Sequence, residues 1–110
     1  MPASTHAGSS VMPGLRYHDA PAAIEWLCRA FGFEKRLVGP AEGGAIAHAQ
    51  LVHGTGMIML GGGGQHGNAY DHVVVSPRET GGVVTQGAYV IVADVDAHYR
   101  RAVSAGAAIV

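Results

Sequence analysis

The residues of this 110-residue chain that could do chemistry are one cysteine, seven histidines and a few arginines and carboxylates. His48 and Gln50 alternate with Ala47 and Ala49 in a β-like run. On a strand, alternation puts the imidazole and the amide on one face and the small residues, suited to packing a helix, on the other. His48 is then either a ligand contact or an ordinary hydrogen-bonded sheet histidine. Met57 and Met59 share a face opposite Ile58 and Leu60, and Met12, Gly14 and Arg16 share one in an earlier run. Were these faces to line one cavity, it would be mainly apolar, with adaptable thioethers around Arg16, His48 and Gln50 as orienting polar groups.

Other candidates read more simply. Cys28 falls with Ile24, Leu27 and Phe31 on the apolar face of a helical pattern, where a thiol behaves as a small inert hydrophobe. His66, Asp71 and His72 could chelate a metal, but their spacing matches no helix or hairpin site and the flanking glycines give no rigid support. Gly61 to Gly64 is followed by no Lys-Ser/Thr pair and opens no helix, so it is a connector rather than a phosphate loop. Asp94 suits a helix N-cap.

The elements that must position these residues follow from periodicity and punctuation. Residues 1–10 are small and polar and read as a disordered lead-in. Residues 11–17 favour a strand, and Asp19 with Pro21 marks the start of a helix that Gly32 ends. Glu25 and Arg29 form an i,i+4 pair on its polar face. Strands are then expected over 33–38, 45–53 and 56–61, giving a βαβββ unit over residues 11–61. Residues 62–86 read as a glycine-rich linker, with Val73 to Val75 as a possible local strand. From Gly87 the opening pattern returns: an apolar run at 88–93, a cap at Asp94, a helix with Val95, Tyr99, Ala102 and Val103 on one face, a stop at Gly106 and a new strand at 107–110. This is an internal repeat, and the fold expected is α+β: one βαβββ module followed by a shortened second βαβ module over 87–110 whose C-terminal strands are missing.

Composition narrows the function classes. Seven Lys+Arg against eight Asp+Glu, with no basic cluster, excludes the concentrated positive footprint that nucleic acid requires. No apolar run approaches the roughly 20 residues of a membrane span. A single cysteine forms no internal disulfide and the N-terminus shows no secretory pattern, so a cytoplasmic location is expected.

Three stretches, LRYHDAPAAIEWLCRAFGFEK, IAHAQLVHGTGMIMLGG and YVIVADVDAHYRRAVSAGA, occur in an order and at gaps that resemble the PhnB-like glyoxalase/bleomycin-resistance proteins of the vicinal-oxygen-chelate superfamily, which also includes dioxygenases. The resemblance implies curved sheets facing each other around a cavity, often within a homodimer. In metal-using members, the first and last strands of each unit supply His, Glu or Gln ligands. The corresponding positions here are Met12, Met59 and Gly87, none a usual ligand for nickel or zinc, and the fourth falls on a strand this sequence lacks. Arg16 corresponds to an arginine that, in glyoxalase I, helps hold the substrate's carboxylate.

The expected function is therefore a metal-free small-molecule binding protein that holds a partly apolar ligand with Met12, Arg16, His48, Gln50, Met57 and Met59, needs no cofactor, and forms a homodimer with shared or swapped strands. The alternatives are a glyoxalase-like lyase or isomerase, or a dioxygenase, using a divalent metal such as nickel or zinc, and a shortened structural member without a ligand.

Overall fold

A computed structural model of the chain describes residues 10–40, 46–62 and 73–110. The elements run β1 (Gly14–Tyr17), α1 (Ala20–Phe31), β2 (Glu34–Pro40), β3 (Ile46–His53), β4 (Gly56–Gly62), a 3-10 turn (Pro77–Thr80) and α2 (Val95–Ser104). The four strands form one mixed sheet in the order β1-β4-β3-β2, with β1 parallel to β4 and the other pairs antiparallel.

The first unit closes as its sequence pattern directs. Asp19 accepts a hydrogen bond from the Ala22 amide at 3.1 Å, satisfying one of the free N–H groups of the first turn, and Pro21 sits where its missing N–H does no harm. Gly32 adopts a left-handed φ of 79°, and its N–H returns to the Cys28 carbonyl. Ala20, Ile24 and Leu27 of α1 pack on Ala49, Leu51, Ile58 and Leu60, so α1 covers one face of the sheet. The polar face of α1 departs from expectation in one respect. Glu25 makes its ion pair with Lys35 of β2, two exposed side chains meeting across elements.

The second unit keeps its helix but not its strands. Asp94 caps α2 by accepting from the Ala97 amide at 3.0 Å, and Gly106 takes a positive φ of 99° beyond the helix end. Neither the run at 88–93 nor residues 107–110 is in a strand, and Val73 to Val75 forms none. A strand satisfies its amides and carbonyls on a neighbour, and among the described residues none pairs with these segments. Within residues 62–86, Gly62 belongs to β4 and Pro77–Thr80 is a 3-10 turn.

α2 is fastened instead to the C-terminal end of α1. Arg101 donates from Nε to the Arg29 carbonyl at 2.8 Å and from Nη2 to the Cys28 carbonyl at 3.2 Å. A guanidinium on the carbonyls of a helix end also complements the negative end of its dipole. Trp26 Nε1 donates to the Ala105 carbonyl at 2.7 Å, and His98 stacks on Phe31 with ring centroids 5.7 Å apart.

Candidate functional site

The sheet has one face under α1 and one without a helix, and strand register decides which side chains occupy the second. Ala49, Leu51, Ile58 and Leu60 are buried against α1, so His48, Gln50, Met57 and Met59 point to the opposite, open face. Leu15 and Tyr17 pack on the core, which turns Gly14 and Arg16 to the open face too. Gly14, Met59, Gln50 and Leu37 form one cross-strand row.

The neighbouring row holds the imidazole. Arg16 is opposite Gly61, and Gly39 is opposite His48. The β3–β4 register, which pairs Ala49 with Leu60, sets Gly61 beside His48 at its next step. His48 thus has glycine on both flanking strands. A Cβ on Gly61 would come within 3.1 Å of the Ala47 carbonyl oxygen, and one on Gly39 within 3.2 Å of the His48 carbonyl oxygen. The two glycines let the strands approach closely and leave space beside the imidazole. A cleft of about 290 Å³ lies at this end of the sheet, lined by Arg16, His48, Met59 and Gly61 and also by Leu15, Ala47, Leu60 and Val74.

A short polar chain crosses this face. Arg36 donates from Nη1 to Gln50 Oε1 at 2.8 Å, and Gln50 Nε2 lies 3.2 Å from His48 Nε2. The β2–β3 register slips between Lys35 and Leu37, so Arg36 is the extra residue of a bulge opposite Gln50.

Of the six residues singled out from the sequence, the structure brings Arg16, His48 and Met59 into the cleft and places Gln50 against His48. Met57 is buried and lines a different cleft, of about 850 Å³, between the β3–β4 turn, the end of α1 and residues 88–94. Met12 precedes β1, half-buried. A further cleft of about 770 Å³ lies between the α1 side of the sheet at β1 and residues 73–90. Arg36 is absent from the sequence-based candidates, because a bulge is a property of paired strands and has no residue signature of its own here. His66, Asp71 and His72 lie outside the described residues.

Among the described residues no three His, Cys, Asp or Glu side chains come together to hold a metal ion. The positions that the vicinal-oxygen-chelate resemblance would assign to ligands carry two thioethers and a glycine, Met12, Met59 and Gly87. This donor set does not fit a hard or borderline divalent ion. Burial pushes the Cys28 thiol above its ordinary pKa, which keeps it largely protonated near neutral pH and poorly nucleophilic.

The family model of the glyoxalase/bleomycin resistance protein/dioxygenase superfamily matches residues 6–110. The chain belongs to this superfamily. Among solved structures it is similar to the crystal structure of TioX from Micromonospora sp. ML1, with 33% sequence identity and a TM-score of 0.60 over 91% of this chain and 74% of that one. No match was found among curated proteins. For a member of the glyoxalase/bleomycin resistance/dioxygenase superfamily, the α+β arrangement of a βαβββ sheet with one helix-covered face is the expected module. No helix among the described residues is long and apolar enough to cross a membrane.

Proposed function

We propose that the protein is a metal-free binding protein of the glyoxalase/bleomycin resistance type, which holds a small, partly apolar molecule against the open face of its sheet. The observation that carries this reading is the strand register, which sets Arg16, His48, Gln50 and Met59 together on the face that α1 leaves uncovered, with Arg16, His48 and Met59 lining a small cleft. Superfamily membership and the lack of a suitable donor set among the described residues support it. The protein needs no cofactor in this reading, and its location is the cytoplasm. Self-association belongs to the same proposal: a second copy covers the exposed apolar segment at 88–93 and shares strands with this sheet.

A ligand that binds only the native state raises its stability, by about 2.7 kcal/mol at a hundredfold excess over Kd. Thermal melts over a set of planar, partly apolar compounds are expected to yield concentration-dependent increases in Tm that His48→Ala reduces. A flat response across the set contradicts the binding reading. Stoichiometric nickel or zinc retained after dialysis contradicts its metal-free part, and a monomer at all concentrations by light scattering contradicts self-association.

A further inference from the structure

The polar chain on the open face fixes more than side-chain positions. A guanidinium has only donors, so the Gln50 amide must present Oε1 to Arg36, and it does so at 2.8 Å. Its NH2 group is then the atom that faces His48 Nε2 at 3.2 Å. An amide NH2 also only donates, so Nε2 must accept and carries no proton. The ring proton of the neutral imidazole then sits on Nδ1, the nitrogen left to donate to a bound molecule. At the bulge Arg36 and Leu37 both stand opposite Gln50.

We infer that Arg36, acting through Gln50, locks His48 as a hydrogen-bond donor, and that the open face takes a carboxylate carried on an otherwise apolar molecule. The inference rests on the proposed binding reading and names the ligand class for that site. A donor imidazole calls for an acceptor atom, and the Arg36 guanidinium on the Gln50 amide beside it favours an anionic one. Met59 and Leu37 supply apolar surface in the adjoining row. The occupied Nε2 lone pair also removes His48 as a base or metal ligand through that atom. Arg36 is a positioning residue, because it acts on the site through Gln50.

Two measurements test this. Long-range proton–nitrogen correlation spectra of the imidazole rings in the free protein are expected to show His48 protonated on Nδ1, with the preference lost in Arg36→Ala and retained in Arg36→Lys, which still donates to Oε1. Arg36 is exposed, so neither variant disturbs the core. Titration with 2-naphthoate and with 2-naphthamide is expected to favour the carboxylate by about tenfold, the scale of one hydrogen bond to a charged group, and Arg36→Ala should erase most of that ratio. Protonation of His48 on Nε2 overturns the inference. Equal binding of the two compounds also overturns it while leaving the binding reading in place, and failure of both to bind overturns the two together.

Discussion

The two halves of this chain begin with the same pattern and reach different ends. Asp19 and Asp94 cap their helices through the same bond, from carboxylate oxygen to the amide three residues on, at 3.1 and 3.0 Å. Beyond the helix the halves diverge. The apolar stripe of α1 is buried against the sheet built by the strands that follow it, with Leu51 fully inaccessible beneath. On α2 only Ala102 is buried, Val95 remains 69% exposed and Tyr99 53% exposed, and Ile91 in the run before it is 91% exposed. A local pattern is therefore enough to form a helix, since its backbone bonds are internal, whereas a strand forms only where a neighbour lies alongside. The second half is held to the first by a helix end, through Arg101 and Trp26, rather than by a shared core.

The largest test of this contrast compares Leu51→Ala with Tyr99→Ala in chemical denaturation. The first removes a fully buried side chain between α1 and the sheet and is expected to destabilise by about 3 kcal/mol. The second lies on an exposed helix face and should fall within about 0.5 kcal/mol. Equal losses would mean that the two helices share one core. A finer comparison uses two glycines with positive φ. Gly54 at 59° has nothing within 4 Å of an added Cβ, so Gly54→Ala bears only the backbone penalty of about 1 kcal/mol. Gly32→Ala bears that and a contact with Arg101 Nη1 at 3.0 Å, so it should be the more destabilising and should also speed hydrogen exchange in α2. Unchanged exchange in α2 would break the link assigned to Arg101. The smallest effect comes from the caps: each Asp→Ala change removes about 1 kcal/mol of helix stability. For Asp19 this is expected in global unfolding, and for Asp94 only in exchange of the α2 amides.

Much of the first half is legible in its residue pattern. Alternation in residues 45–53 and 56–61 assigns Ala49, Ile58 and Leu60 to the helix side and His48, Gln50 and Met59 to the other, and the sheet has that arrangement. β1 is shorter than the run from Val11 suggests, its ladder beginning where the Pro13 carbonyl accepts from Met59 N at 2.9 Å. The features that the pattern does not reveal depend on partners distant in sequence. Glu25 pairs with Lys35 on β2 instead of Arg29 on its own helix, Arg36 bonds Gln50 across the β2–β3 pairing at a register slip, and the run at 88–93 has strand composition without a strand. Residue type and spacing describe a segment, whereas each of these outcomes is set by what lies beside it.

The open face of the first half, and not either of the larger clefts against residues 73–94, is the binding surface in the proposed reading. Amide chemical-shift mapping during titration with 2-naphthoate tests it directly. Saturable shifts centred on Arg16, His48, Met59 and Gly61 are the predicted result. Shifts centred instead on His53, His98 and residues 88–94, or no saturable shifts at all, would contradict it.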